Sequence, residues 1–137
     1  MASPYVYLID DDEDDRDIFE MALRNAFPDV KCSSICNAIK ALEELNNENR
    51  PDYIFIDLNM PRMSGKECLT ALKGQPALSG IPAIIYTTSS HYNDIQELEK
   101  LGANHYLVKP DSLNKLTFVL KEILSGGDLP YLIQVSA

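Results

Sequence analysis

In the segment 53-YIFIDLNMPRMSG-65, an apolar run ends abruptly in a carboxylate. Residues 53–56 are β-branched or aromatic, a composition that favours a strand buried on both faces. Asp57 follows them directly, and a turn containing Pro61 and Gly65 comes next. A buried charge is costly unless it is paired or bound to a metal. We therefore expect Asp57 to lie at the mouth of a strand, close to groups that compensate its charge.

The same alternation of a short apolar run and a helical run recurs along the chain. We predict strands at 5–9, 30–35, 53–56, 83–86 and 105–108, each followed by a helical segment with an apolar face. Apolar strands that alternate with helices indicate a parallel sheet with helices on both faces. Because five such units are too few for an eight-stranded barrel, we expect an open, doubly wound α/β sheet of five parallel strands with five helices.

The composition is that of one acidic globular domain, with 137 residues, 45% of them hydrophobic, and a net charge of −9. This charge argues against nucleic acid and anionic membranes as partners. The sequence begins without the features of a signal peptide, and no apolar run reaches the ~18 residues of a membrane span. Three cysteines indicate a reducing compartment, so we expect a cytoplasmic protein. Cys32 and Cys36 lack the partners of a zinc site, and we expect all three cysteines to fill small apolar gaps.

Polar residues stand where four of the predicted strands end. Asp10 and Asp11 follow the first strand, Asp57 the third, Thr87 the fourth and Lys109 the fifth. The carboxyl ends of parallel strands meet at one edge, where open α/β sheets bind ligands. Carboxylates gathered there would repel one another unless a divalent cation joined them, and Mg²⁺ prefers carboxylate, water and phosphoryl oxygens. With an ammonium and a hydroxyl nearby, this set suits a carboxylate that attacks phosphorus and becomes an aspartyl phosphate.

Taken together, these motifs resemble a known family over residues 5 to about 124. The features are the acidic pair after YVYLI, the aspartate of IDLNMPRMSG, the threonine after AIIY, and Tyr106 and Lys109-Pro110 in GANHYLVKP. The chain is similar to the receiver domain of two-component response regulators, of the stand-alone, single-domain type. The resemblance implies a flavodoxin-like fold with strand order 2-1-3-4-5 and a role in phosphorelay signal transduction.

The resemblance also assigns chemical roles to individual residues. It implies that Asp57 accepts a phosphoryl group from a phosphohistidine on a sensor histidine kinase or a histidine phosphotransfer protein. Mg²⁺ is the expected cofactor, with Asp11, Asp57 and the backbone carbonyl of Asn59 as ligands and Asp10 acting mainly through water. Such a protein is not classed as an enzyme, although it catalyses its own Mg²⁺-dependent phosphotransfer and dephosphorylation.

A conformational switch is the second part of what the resemblance implies. Lys109 and Thr87 would bind the phosphoryl oxygens, and Thr87 and Tyr106 would shift together on activation. The signal would pass to a downstream protein target, because nothing after residue 124 resembles an output domain. The Lys109-Pro110 bond is commonly cis in this family, which would aim Lys109 inward.

Three other functions compete with this interpretation. A phosphatase of the haloacid dehalogenase type also forms an aspartyl phosphate, but it needs a second aspartate where Asn59 stands. A flavodoxin-like cofactor binder needs a loop rich in Gly, Ser or Thr after the first strand, whereas residues 10–15 are acidic and would repel phosphate. A receiver that has lost phosphorylation and serves only as an interaction module conflicts with the intact set of residues, and Mg²⁺ binding would test it.

Some residues beside the predicted site have simpler interpretations. Glu13, Asp14 and Asp15 would favour the N-terminus of a helix through its dipole. Thr88 stands where the family usually has a small residue, and its β-branched side chain could narrow access to the phosphoryl group.

The C-terminal segment is unexpectedly apolar. We predict a receiver domain over residues 1–124 and an apolar tail over 125–137, which contains Leu129, Tyr131, Leu132, Ile133 and Val135. An exposed apolar segment tends to find a surface. We hypothesise that the tail covers part of the domain or of a second copy, the latter giving a homodimer. A locally ordered end without a regulatory role is the alternative.

Overall fold

The computed structural model of the chain describes residues 4–45 and 50–135, and its centre is a parallel β-sheet. The strands are β1 (Tyr5–Ile9), β2 (Lys31–Ile35), β3 (Tyr53–Ile56), β4 (Ala83–Thr87), β5 (His105–Val108) and β6 (Leu132–Ile133). The helices are α1 (Glu13–Ala26), α2 (Ala38–Glu44), α3 (Gly65–Lys73), α4 (Tyr92–Lys100) and α5 (Leu113–Leu124). The strand order is β2-β1-β3-β4-β5-β6, and all neighbours are parallel. Within the described residues, the predicted flavodoxin-like arrangement with five helices is confirmed.

The predicted number of strands is wrong, because the apolar tail adds a sixth strand. In β6, Leu132 lies opposite Tyr106 and Ile133 lies opposite Leu107. The backbone N–H of Tyr106 donates to the carbonyl of Tyr131 at 2.8 Å. A parallel pair needs a long crossover, and α5 already supplies one between β5 and β6. The tail therefore joins the sheet without a helix of its own. The strand was not predicted because two residues are too few to show a periodic pattern in the sequence.

Local hydrogen bonds cap several of the helices. The side chains of Asn37, Ser64 and Ser112 each accept a hydrogen bond from the backbone N–H three residues later. At the start of α3, Glu67 also accepts from the backbone N–H of Ser64, which completes a capping box. Gly102 follows α4 with a φ of 106°, a conformation that L side chains rarely adopt. These caps set where each loop leaves the sheet.

The core has two layers, one on each face of the sheet, because alternate strand residues point in opposite directions. Tyr7 and Ile9 of β1 pack in a cluster with α2, α3 and α4. Val6 and Leu8 of the same strand pack in a second cluster with α1 and α5. All four residues are at most 1% exposed. The sheet is thus covered on both faces, and its carboxyl edge is where polar groups can gather.

Three smaller expectations have mixed outcomes. Within the described residues no peptide bond is cis, so the expected cis Lys109-Pro110 bond is not found. All three cysteines are free, and Cys68 is buried as predicted, but Cys36 is exposed and fills no gap. In the part of the chain that is described, no helix combines the length and the apolar character needed to cross a bilayer.

Candidate functional site

β3 brings Asp57 to the carboxyl edge of the sheet, where only 7% of the residue is exposed. Its backbone N–H donates to the carbonyl of Ile9 at 2.8 Å, which ties it to the end of β1. The backbone N–H of Asn59 donates to the Asp57 carboxylate. Neighbouring backbone groups therefore hold both the main chain and the side chain of Asp57.

Gly65 closes the loop that follows Asp57. Its N–H donates to the carbonyl of Leu58 at 2.8 Å. A Cβ atom at residue 65 would lie 2.5 Å from the backbone oxygen of Asp57 and 2.7 Å from the Cα of Leu58. Only glycine fits this contact, because backbone atoms cannot give way as the end of a flexible side chain can. The start of α3 is thereby pressed against the loop that carries Asp57.

Asp10, Asp11 and Asp57 form an acidic cluster, as the sequence predicts. Each offers a carboxylate oxygen, and these atoms all lie within 4.8 Å of one another. Burial raises the pKa of Asp57 to about 7, with Lys109 opposing the shift and the two neighbouring aspartates adding to it. Burial likewise raises the pKa of Asp10, which is fully buried. The ionised form of these carboxylates is therefore unfavourable at this edge, and a bound cation would stabilise it.

The three carboxylates differ in what already binds them. Asp10 accepts from the Asp12 N–H through Oδ1 at 2.9 Å and from Lys109 Nζ through Oδ2 at 2.9 Å. Asp11 is exposed, and no hydrogen bond to its carboxylate is found among the described residues. Asp57 is intermediate between Asp10 and Asp11: its carboxylate accepts from the backbone N–H of Asn59, and the Lys109 ammonium is 4.0 Å away. Asp11 and Asp57 are thus freer than Asp10 to take a new ligand.

The chemistry of this donor set fits a hard divalent cation. Carboxylate oxygens are the ligands that such ions prefer, and a site with two buried aspartates lacks enough positive charge of its own. Asp10, Asp11 and Asp57 are the residues that could hold the ion. The role of the Asn59 backbone carbonyl as a metal ligand stays a prediction.

Lys109 follows β5 and reaches into the cluster with its ammonium group. Its Nζ lies 2.7 Å from Asp15, 2.9 Å from Asp10 and 4.0 Å from Asp57, and it also lies 5.0 Å from the centre of the Tyr86 ring. Burial alone would lower the pKa of Lys109, but the hydrogen bonds to Asp15 and Asp10 outweigh it and raise that pKa. Lys109 is therefore a cation at neutral pH, held mainly by carboxylates other than Asp57.

Thr87 and Tyr106 are each linked to Ser89 by a hydrogen bond. Thr87 is 1% exposed, and its Oγ1 accepts from the backbone N–H of Ser89 at 3.3 Å. The Tyr106 hydroxyl donates to the Ser89 carbonyl at 2.9 Å. Thr87 also accepts a bond from the backbone N–H of Lys109, at 2.7 Å through its carbonyl. Asp94 of α4 accepts from the Ser89 hydroxyl at 3.0 Å, which extends the link to a helix.

The sequence interpretation missed the roles of Asp15, Ser89 and Gly65 in this site. Asp15 does lie in the acidic first turn of α1, as expected, but it also forms an ion pair with Lys109. The sequence did contain a signal for Asp15. A helix that starts directly after β1 must begin near the carboxyl edge of the sheet, where Lys109 also lies. Ser89 gave no such signal, since its links to Thr87 and Tyr106 use its backbone groups.

A cavity of about 420 Å³ opens between α1 and α5 beside the ammonium of Lys109. Its walls include Asp15, Ile18 and Leu113. Thr88, which is exposed, also lines this cavity, as does Lys109. Thr88 is therefore a neighbour of the lysine in the cavity wall.

Comparison with known proteins agrees with this geometry. Residues 6–121 match the model of the response regulator receiver domain. Two-component response regulator ORR8 of Oryza sativa subsp. japonica is 30% identical over 123 residues, which are 90% of this chain and 100% of that protein. The phosphorylated cyanobacterial phytochrome response regulator RcpA has a similar structure, with a TM-score of 0.81 and 30% identity over 94% of this chain and 99% of its own. The Mn²⁺-bound form of response regulator Rcp1 has a TM-score of 0.76 and 28% identity, over 93% and 99%. This chain belongs to the response regulator receiver domain family.

Proposed function

We propose that Asp57 accepts a phosphoryl group from a phosphohistidine and that the resulting aspartyl phosphate switches the domain for a protein partner. The observation that carries this proposal is the meeting of Asp57 with two further carboxylates and the Lys109 ammonium at the carboxyl edge. The phosphorylated state of RcpA supports it by similarity. The donor would be a sensor histidine kinase or a histidine phosphotransfer protein.

Asp57 is better placed than Asp10 or Asp11 to act as the nucleophile. Asp10 is fully buried, and both of its oxygens already accept hydrogen bonds. Asp11 is exposed and has no ammonium within ion-pair distance among the described residues. Asp57 is partly accessible and lies 4.0 Å from Lys109, which leaves room for a group between them.

The transfer itself forms one bond and breaks one. A carboxylate oxygen of Asp57 attacks phosphorus and forms an O–P bond, while the N–P bond of the phosphohistidine breaks and its electron pair returns to the imidazole. Lys109 would donate to one oxygen of the transferred group and stabilise its charge. The hydroxyl of Thr87, the last residue of β4, would donate to another. Hydrolysis by water then returns Asp57 to its carboxylate, so the protein catalyses its own reactions without being classed as an enzyme.

Mg²⁺ is the cofactor that we propose, held by Asp11, Asp57 and the Asn59 carbonyl, with Asp10 acting through water. When bound, it neutralises charge on the phosphoryl oxygens and favours the ionised form of the carboxylates. The second effect matters here, because a pKa of about 7 would leave much of Asp57 protonated and unreactive at neutral pH. The Mn²⁺-bound form of Rcp1, a protein of similar structure, supports the binding of a divalent cation.

The switch would run from Thr87 to Tyr106 through Ser89. If Thr87 turns its hydroxyl toward the phosphoryl group, it gives up the hydrogen bond from the Ser89 N–H. The carbonyl of Ser89 holds the Tyr106 hydroxyl, and its side chain holds Asp94 of α4. A movement of Ser89 would therefore reach both β5 and α4, and the surface that they form would change for a downstream protein.

Incubation with acetyl phosphate and Mg²⁺, followed by intact mass measurement, tests the proposal. We expect one added phosphoryl group in the wild type and none in Asp57→Asn, because an amide cannot attack phosphorus. Asp29→Asn is the matched control, since Asp29 is an exposed aspartate in the loop before β2. Labelling of Asp57→Asn equal to that of the wild type would contradict the assignment.

A further inference from the structure

The ammonium of Lys109 is shared among three carboxylates, and the shortest contact is with Asp15. That distance is 2.7 Å, against 2.9 Å to Asp10 and 4.0 Å to Asp57. Two of the three N–H donors of the ammonium are thus engaged by residues other than the proposed phosphoacceptor. Any oxygen bound to Asp57 must compete for Lys109 with these two partners.

The two competitors are not equivalent. Asp10 belongs to the acidic cluster, so a cation bound there would draw on its negative charge and weaken its hold on the ammonium. Asp15 lies outside the cluster, on the first turn of α1. It would keep its full attraction for Lys109 when a cation is bound.

Release of Asp15 would require little rearrangement. Its side chain is 35% exposed and borders the cavity between α1 and α5, so it can turn away without moving the core. Lys109 is only 10% exposed and borders the same cavity. The ion pair is therefore a contact that can open and close locally.

We propose that Asp15 is a positioning residue, which holds Lys109 away from Asp57 before phosphorylation and lowers the affinity of the site for a phosphoryl group. This inference rests on the proposed function. It predicts that Asp15 affects the two ligands of the site in opposite directions. Removing Asp15 lets the ammonium move toward Asp10 and Asp57, which repels a metal ion and attracts a phosphoryl group.

Asp15→Asn is the test variant, and Asp14→Asn is its matched control. The two residues are adjacent in the first turn of α1 and lose the same charge, but no contact of Asp14 with Lys109 is found among the described residues. Binding of Mg²⁺ alone is measured by calorimetry, and binding of beryllofluoride is measured in saturating Mg²⁺. We expect Asp15→Asn to weaken Mg²⁺ binding and to strengthen beryllofluoride binding, each by ~3–10-fold, and Asp14→Asn to change either by less than ~2-fold.

A second pair of variants shows whether Asp15 acts through Lys109. In a Lys109→Met background, Asp15→Asn should leave both affinities nearly unchanged, because the shared ammonium is gone. Asp15→Glu, which keeps the charge, should restore Mg²⁺ binding toward the wild-type value. The inference is overturned if Asp15→Asn matches Asp14→Asn, or if its effect persists undiminished without Lys109. A wild type that binds neither Mg²⁺ nor beryllofluoride would instead refute the proposed function itself, and this inference with it.

Discussion

Two edges of the same sheet are built in opposite ways. The carboxyl edge collects charge: Asp10 and Asp57 are buried there, and burial raises the pKa of both. The lateral edge beyond β5 collects apolar surface and backbone hydrogen bonds, with Ile133 only 9% exposed and Tyr131 bonded to two elements. The buried charges of the carboxyl edge destabilise the folded state until a ligand binds. The packing of the lateral edge stabilises the folded state with or without a ligand. The comparison suggests that the tail supports a sheet whose reactive edge is electrostatically costly.

Deletion of residues 128–137 should have the largest effect on stability. It removes β6, exposes the edge of β5 and deletes the buried side chain of Ile133. We expect the free energy of unfolding to fall by roughly 3–5 kcal/mol, from lost apolar burial and lost hydrogen bonds. Chemical denaturation measures this, with sedimentation to detect any change of oligomeric state. Unchanged unfolding would show that the lateral edge does not support the domain.

A single substitution in the tail sharpens the same prediction. The Tyr131 hydroxyl donates to the Ile95 carbonyl of α4 at 2.7 Å. Tyr131→Phe keeps the ring and should cost about 1 kcal/mol, the usual worth of one hydrogen bond. Gln134→Ala is a suitable control, because Gln134 is exposed in the same segment.

Asp57→Asn should stabilise the metal-free protein at high pH. The folded pKa of Asp57 is about 7, above the usual ~4, so the folded state binds more protons than the unfolded state between these values. Stability that is present below pH ~4 is therefore lost as the pH rises through ~7. Because Asn does not titrate, we expect the variant to be more stable than the wild type by roughly 2–4 kcal/mol at pH 8.

Denaturation in EDTA at several pH values checks this prediction. The variant should lose stability less steeply than the wild type between pH ~4 and pH ~7, while Asp10, whose pKa is also raised, leaves part of the slope. Adding Mg²⁺ to the wild type should narrow the difference, because a bound cation favours the ionised carboxylates. Parallel curves for the two proteins would mean that Asp57 is not under electrostatic strain.

Mg²⁺ binding should depend more on Asp11 than on Asp10. Asp11 has an exposed carboxylate without a hydrogen bond in the described residues, whereas both oxygens of Asp10 are engaged. We expect Asp11→Asn to weaken Mg²⁺ binding by ~10-fold or more, and Asp10→Asn by less. Calorimetric titration measures both. An unchanged affinity in Asp11→Asn would remove Asp11 from the proposed ligands.

Thr88 should have the smallest effect, on the lifetime of the phosphorylated state. Thr88 is exposed and lines the same cavity as Lys109, and its side chain could obstruct a water molecule in line with the phosphoryl group. We expect Thr88→Ala to shorten the half-life by ~2–5-fold, or to speed phosphorylation by acetyl phosphate to a similar extent. Ser90→Ala, at a nearby exposed position, is the control. Equal rates for all three proteins would leave Thr88 without a kinetic role.

Local sequence signals and a rule of topology were enough to predict the doubly wound parallel sheet and the location of its reactive edge. Alternating apolar strands and helices predict a parallel doubly wound fold, and every parallel strand ends at the same side, so Asp10, Asp11, Asp57 and Lys109 had to meet. Asn37 and Ser112 cap their helices through the backbone N–H only three residues later, so these helix starts rest on local interactions. The helix caps depend on residues that are close in sequence. The reactive edge depends on the rule that all strands of a parallel sheet end at the same side.

How these charged groups divide their contacts depends on the packing of the folded chain. The ion pair between Asp15 and Lys109 joins residues 94 positions apart, and its 2.7 Å distance depends on how α1 packs beside the end of β5. The sixth strand likewise depends on the edge of β5, with which two apolar residues of the tail pair. Two residues are too few to reveal a strand in the sequence. Local propensity carries no information about which distant partner a side chain or a strand edge will find. Such contacts follow from the packing of the whole sheet and its helices.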